Sequence, residues 1–230
     1  MKTAGKRKKK VEELVDKNKK YTVGEAVGIL NKQPKAKFDE SVDMSVKLAK
    51  KPVQAEQQIR TTTALPHGTG KKVKVLVFAR GEAEKKAKEA GADYAGAEEY
   101  IEKIKGGWLD FDVAIAAPDM MKEVGKLGKI LGTKGLMPNP KSGTVTPDPA
   151  KAVKEFKAGK TEYRTNKEGV VNLSVGKISF SEEALKENIE YFIANFVKLP
   201  ALSTKGQYIR SMNISTTMGT GVPLEFKKYL

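Results

Sequence analysis

The sequence predicts a chain that combines α/β and α+β. It implies a discontinuous α+β domain with an antiparallel sheet, made from the N- and C-terminal segments, and an inserted Rossmann-like three-layer α/β/α domain. Three observations carry this. Near both ends, strand-like stretches are apolar on one parity and polar on the other. Between residues 67 and 159, short apolar runs alternate with amphipathic helical segments. The 230 residues, 39% of them hydrophobic, suffice for one large or two modest cores. The expected domains are therefore 1–66 with 160–230, and 67–159.

Residues 1–10 form a basic arm that leads into a short helix at 11–16. Thr22 and Glu25 have the spacing of a capping box, and Ala26, Val27, Ile29 and Leu30 supply an apolar stripe, so 23–32 reads as a helix. From Phe38 the period changes to two. Glu40, Val42, Met44, Val46 and Leu48 share an almost wholly apolar parity, and Asp39, Ser41, Asp43, Ser45 and Lys47 a polar one, which is a strand with one wet face. Lys50, Lys51 and Pro52 end it, and 59–65 is expected to return as its antiparallel neighbour.

Val73 and the run Val75, Leu76, Val77, Phe78 then read as a buried strand, followed by a helix at 82–90 that Gly91 closes. A short strand at 92–95, a helix at 97–105 stopped by Gly106 and Gly107, and a buried strand at 111–116 continue the alternation. Pro118 suits a first helical turn and leads into 120–125 and a further short helix at 127–131. A Gly/Pro-rich stretch at 133–145 separates these from a helix that Asp148 and Pro149 start and Gly159 ends. From Lys160 the antiparallel style returns at 161–164 and 170–175, joined by a turn at 166–169. Ser181 caps a long helix carrying Leu185, Ile189, Phe192, Ile193, Phe196 and Val197, and Pro200 stops it. Strands at 207–215 and 222–226 close the chain; in the first, Tyr208, Arg210, Met212 and Ile214 share one parity. Between them Ser215 to Gly221 is small, polar and glycine-rich, suited to bring backbone, hydroxyls and the thioether of Met218 against a flat partner.

Composition narrows the function. The absence of cysteine excludes disulfides, thiolate nucleophiles and Cys-ligated metal, and the single His67 excludes sites built from several imidazoles; no metal or cofactor is expected. No apolar run is long enough to span a bilayer, and the basic arm lacks the hydrophobic segment of a secretory signal, so a cytoplasmic protein without a membrane partner is expected. The net charge of +15 points to a polyanion, with nucleic acid ahead of a membrane surface. Segments 1–66 and 160–230 together hold 26 Lys and Arg against 15 Asp and Glu, so the discontinuous domain carries +11 of that charge.

His67-Gly68-Thr69-Gly70-Lys71 is similar to the end of a phosphate-cradling loop, but Lys72 replaces the required Ser or Thr and a strand follows instead of a helix. It reads as a domain-crossing turn, and Pro66, His67, Gly68 and Gly159 are the expected hinge. The carboxylate pairs Asp39/Glu40, Glu98/Glu99 and Glu182/Glu183 are adjacent in sequence, which suits strand faces and first helical turns better than acid/base chemistry, and no catalytic constellation assembles. An enzyme is not expected. For RNA, Lys35, Lys37 and Phe38, Arg164 and Lys167, Lys177 and Ser179, and Ser211 with Thr217 to Gly219 offer phosphate attraction, stacking and hydroxyl contacts. A free-standing RNA chaperone or regulator, and a Rossmann-like nucleotide-using enzyme, are the alternatives that the residues leave open.

Several motifs in order carry a resemblance: Leu65-Pro66-His67-Gly68-Thr69-Gly70-Lys71, Ala116-Ala117-Pro118-Asp119-Met120-Met121, Gly135-Leu136-Met137-Pro138-Asn139-Pro140-Lys141 with Gly143-Thr144-Val145, and Thr216-Thr217-Met218-Gly219. With them the chain resembles, over essentially its whole length, the bacterial L-one family of large-subunit ribosomal proteins, the universal ribosomal stalk protein family. The resemblance implies a ribosome-associated, non-catalytic protein, monomeric when free, that binds large-subunit ribosomal RNA. It further implies a mobile stalk engaging deacylated tRNA at the exit site, and repression through the messenger RNA of the protein's own operon. Carried over by position, the RNA contacts fall on Phe38, Thr217, Met218 and Gly219, together with Lys37, Lys167, Ser179 and Ser211. Thr61 stands where the family usually has glycine, and Thr133-Lys134 where Pro-Arg is usual, which leaves the local backbone there open.

Overall fold

The computed structural model describes residues 11, 13–16, 19–34, 36–49, 59–199 and 208–229. The basic arm, Lys35, the strand terminator at 50–52 and Pro200 lie outside them. The chain divides into two compact units, one of Met1–Gly70 with Thr161–Leu230 and the other Lys71–Lys160. The turn at 66–70 thus belongs to the first unit.

In the first unit, helix α1 (Val23–Lys32) opens with a complete capping box between Thr22 and Glu25 and buries Val23, Ala26, Val27 and Leu30. Strand β1 (Ser41–Leu48) alternates as its sequence dictates, with Val42, Met44 and Val46 fully buried. It lies at the centre of a four-stranded antiparallel sheet of order β7-β1-β8-β9, where β7 is Val170–Lys177, β8 Ile209–Thr216 and β9 Val222–Pro223. One face packs on α1 and on α7 (Glu182–Val197), whose Leu185, Ile189, Phe192, Ile193 and Phe196 join Val42, Met44, Val46, Val171, Leu173, Met212 and Ile214 in one core. The other face stays wet.

Five expectations are corrected. Strand β2 (Arg60–Ala64) does not pair with β1, because β7 and β8 occupy both edges of β1; it pairs instead with β6 (Lys160–Arg164), the strand that returns from the insert. β6 in turn meets β7 only through the bridge Thr165↔Val171. Glu40 shares the apolar parity of β1 but precedes the strand, as a buried carboxylate. A register shift between Lys47 and Leu48 turns the start of β8 over, so Ile209 is buried and Arg210 exposed while Met212 and Ile214 remain inward. The last strand is short because Leu224 bridges to Tyr21, with the Tyr21 carbonyl accepting from Glu225 N–H at 2.8 Å. Among the described residues of 11–16, only Val11 and Glu13 are helical and a turn follows at Leu14.

The second unit is a parallel sheet of order β4-β3-β5, from Val75–Phe78 (β3), Tyr94–Gly96 (β4) and Val113–Ala116 (β5), extended by a parallel bridge from Ala116 to Val145. The buried run of β3 is shared between two faces. Val75 and Val77 pack with Ala87 of α2 (Glu82–Glu89) and Val153 and Phe156 of α6 (Pro149–Lys157). Leu76 and Phe78 pack with Ile101 and Ile104 of α3 (Glu98–Lys105), Val124 of α4 (Met121–Gly125) and Leu131 of α5 (Gly128–Lys134). Helix–sheet–helix layering follows from that alternation. Thr133, one of the departures, donates its hydroxyl to the carbonyls of Lys129 and Ile130, and the helix then ends at left-handed Gly135, φ 74°.

Two carboxylates tie this unit together. Burial works to raise Asp93, but the Val75 N–H (2.9 Å) and the Lys157 ammonium outweigh it; burial likewise opposes Lys71 (2.6 Å) and the Lys74 N–H at Asp112. Both carboxyls are held below the usual aspartate value of 3.8. A lowered folded pKa contributes stability that is present above the unfolded value and is lost as pH falls below it. The insert is therefore expected to lose stability below pH 3.8 and not between pH 5 and 7. The only tryptophan, Trp108, packs in the insert against Tyr94, Tyr100 and Phe111, and its emission reads that transition alone.

Candidate nucleic-acid interface

The candidate residues gather mainly at one end of β1, around a single buried acid. Glu40, 3% exposed, accepts from the Ala36 N–H at 2.7 Å with one carboxylate oxygen and from the Met218 N–H at 3.3 Å with the other. Its own carbonyl accepts from Ile178 N–H at 2.9 Å. One residue thus holds the loop before β1 and the loop after β8 through its side chain, and the turn after β7 through its carbonyl. Charge-assisted hydrogen bonds to backbone N–H groups are among the stronger ones, so the arrangement is rigid.

Above that acid two large apolar side chains stand free. Phe38 is 54% exposed and Met218 59% exposed, and among the described residues only Leu14 and Tyr191 share this property. Exposing them costs transfer free energy that burial elsewhere would recover, which marks them for a partner. Thr217 continues the β1–β8 pairing: its N–H donates to the Ser41 carbonyl at 3.0 Å and its hydroxyl oxygen accepts from Ser41 N–H at 3.1 Å. Its hydroxyl is therefore spent mainly on positioning the loop. Gly219 closes the turn on the Thr216 carbonyl at 3.1 Å, and a Cβ placed there would collide with Gln33 Oε1 and Thr216 Oγ1. Glycine is needed here for space, since its φ lies outside the left-handed region.

Asp39 is exposed beside this cluster and accepts from the Ser179 hydroxyl at 2.9 Å, with Lys177 Nζ at 3.6 Å. Lys37 is exposed. Lys167 and Ser211 are not in the cluster. Lys167 is exposed in the turn where the Asn166 side chain accepts from the N–H groups of Glu168 and Val170, and Ser211 stands opposite Lys47 at the far end of β1. The six residue steps from Ser41 to Lys47 span about 20 Å.

Sequence reasoning missed two residues here. Glu40 carried a signal, a carboxylate on the apolar parity of a strand. Gln33 carried none: it caps α1, is 5% exposed under Gly219, and neither its Nε2 nor its Oε1 has a hydrogen-bond partner among the described residues. A buried amide without partners costs stability. Gln33→Leu is accordingly expected to stabilise the first unit by about 1 kcal/mol, read from urea unfolding.

At the expected hinge, Gly68 and Gly70 take φ 64° and 69°, and Gly159 takes φ 106°. Buried Asn188 of α7 clamps the turn at Pro66 and His67. Its Oδ1 accepts from His67 N–H at 3.0 Å, and its Nδ2 donates to the carbonyls of Gly68 at 3.0 Å and Val175 at 2.8 Å. The His67 ring meets exposed Glu187 at 2.6 Å.

Among the described residues no cluster of three or more acids and histidines suits a metal, and no helix is long and apolar enough to cross a membrane. The model of the Ribosomal protein L1p/L10e family matches residues 30–220. The chain is 51% identical over 223 residues to the large ribosomal subunit protein uL1 of Protochlamydia amoebophila, covering 97% of this chain and 94% of that one. It is 50% identical over 226 residues to the protein of the same name from Chlamydia trachomatis serovar D, covering 98% and 97%.

Proposed function

Because the chain belongs to the ribosomal protein L1p/L10e family, we propose that it is a structural, non-catalytic constituent of the large ribosomal subunit, held there by binding large-subunit ribosomal RNA. The observation that carries this reading is the pair of exposed side chains Phe38 and Met218, in loops that one buried carboxylate holds together, on the unit with most of the positive charge. Phe38 stacks on a base or packs on a ribose, Met218 fits a shallow apolar site, and Lys37 and Lys167 neutralise phosphates. Thr217, Gly219 and Ser179 position the loops, and Ser211 offers a hydroxyl at the far end of the sheet.

The resemblance supports three further roles: a mobile stalk near the tRNA exit site, help in releasing deacylated tRNA, and repression of the operon's own messenger RNA. The chain crosses between its units twice, after Gly70 and after Lys160, which supports an insert carried on two connections with Pro66, His67, Gly68 and Gly159 as turning points.

The test is equilibrium binding of the full chain to large-subunit rRNA and to unrelated RNA of equal length across a salt series. The chain is expected to prefer the rRNA, and Phe38→Ala with Met218→Ala to reduce that preference at least tenfold with an unchanged salt slope, as loss of specific contacts does. Equal affinity for both RNAs would refute the reading.

A further inference from the structure

The positive charge of the second unit is concentrated on one stretch. Between Met121 and Val145 stand five lysines, Lys122, Lys126, Lys129, Lys134 and Lys141, against the single acid Glu123. The rest of the Lys71–Lys160 unit holds 13 Lys and Arg against 12 Asp and Glu. All five lysines are exposed, and among the described residues none of them forms an ion pair. Glu123 is committed elsewhere, its Oε1 accepting from Arg80 at 2.7 Å. On α2, by contrast, Lys86 and Lys88 are paired with Glu82 and Glu84 one turn away.

The helices put three of these lysines in a row. α4 and α5 run on almost as one, because Lys126 at φ −65°, ψ −24° and Leu127 at φ −88°, ψ 4° keep a near-helical backbone. Val124, Leu127 and Leu131 turn into the core. Lys122, Lys126 and Lys129 recur at i, i+4 and i+7, which aligns them on the side away from that core, about 10 Å from first to last. Exposed Gly125 and Gly132 flank the row, and a Cβ at either would meet open space. Helical glycine costs stability relative to alanine, and nothing within the unit uses the missing Cβ. The surface beside the lysines is therefore low, which lets a partner come close to the backbone.

The chemistry of this face selects among polyanions. The large apolar side chains that stand exposed among the described residues, Leu14, Phe38, Tyr191 and Met218, all belong to the first unit. The second unit thus has neither the apolar anchor that protein interfaces use nor the apolar face that enters a bilayer surface. What it presents is charge on flexible stems, which suits phosphates spaced along a nucleic-acid strand and reads no sequence.

We propose, on the basis of the RNA-binding reading above, that Lys122, Lys126 and Lys129 form a second RNA contact that lies on the sugar-phosphate backbone. The first unit then supplies preference for one RNA, and this row supplies affinity that does not depend on sequence. The phosphates belong either to the RNA that the first unit holds or to a separate RNA.

The test uses the full chain with Lys122→Gln, Lys126→Gln and Lys129→Gln together. Its control carries Lys85→Gln, Lys151→Gln and Lys154→Gln, which remove the same charge from α2 and α6, the opposite layer of the same unit. Glutamine keeps the helix propensity of lysine, and Trp108 emission checks that the unit folds. Two affinities are followed across a salt series: that for the rRNA fragment the chain protects from ribonuclease, and that of the preformed complex for a short RNA duplex of unrelated sequence. The row variant is expected to flatten the salt slope by about 2 to 3 in the first arm if the phosphates are those of the same rRNA, or in the second if they are those of a separate RNA. The control should keep the wild-type slopes. Unchanged slopes in both arms would overturn the proposal, and so would an equal fall in the control, which would trace the effect to net charge alone. If the wild-type chain does not prefer the rRNA fragment to unrelated RNA, the reading above falls, and the slopes still decide the row.

Discussion

Asn188→Leu is expected to destabilise the first unit by about 3 kcal/mol. Asn188 is fully buried on the inner face of α7, between Leu185 and Ile189, and its side chain serves three backbone groups: the His67 N–H and the carbonyls of Gly68 and Val175. Leucine has nearly the same shape and adds apolar contact, but it leaves three polar groups without their partner. Asn188→Asp should be at least as harmful, because it keeps the acceptor, loses both donated bonds and buries a charge. The sole tryptophan lies in the other unit, so the readout separates the two. The urea transition followed by far-UV circular dichroism should move, and the one followed by Trp108 emission should stay. A shift of both by the same amount would mean that the clamp is not local to the first unit.

Gly219→Ala is expected to give the largest loss in RNA binding from a single methyl group, at least tenfold. An added Cβ meets Gln33 Oε1, the end of a buried side chain, and Thr216 Oγ1, which cannot retreat because Thr216 is itself 5% exposed and paired with Val42. The turn has to open, and Met218 moves off the Glu40 carboxylate. The expected signature is a lower affinity with an unchanged salt slope, since no lysine is touched. Glu40→Gln should fall in the same class but more mildly, because the amide keeps one acceptor and loses the charge that strengthens both hydrogen bonds. If Gly219→Ala binds rRNA like the wild type, the loop is a structural connection and the recognition surface lies elsewhere.

Much of this was readable in the residues. The capping box at Thr22, the alternation of β1, the buried run of β3 and the stripe on α7 are local patterns, and each became the element it predicted. The partner of β2 was not readable, because Arg60 to Ala64 carries no mark that distinguishes pairing with a nearby strand from pairing with one a hundred residues away. At the candidate site Phe38 and Met218 were singled out through the family resemblance, but that the loops bearing them share one acid was not readable. The three N–H groups bound to Glu40 belong to residues that lie up to 178 positions from it in the chain.

The sequence by itself determined which faces are wet and which dry, where most helices and strands begin, and that the charge sits mostly on the discontinuous unit, since periodicity, capping and composition are properties of neighbouring residues. Tertiary structure alone decided that Thr217 spends its hydroxyl on Ser41 and that Gly219 is required for space against Gln33 and Thr216. Those facts depend on strand register and on packing between distant segments, and both are settled only when β7, β1 and β8 close the hydrophobic core beneath them.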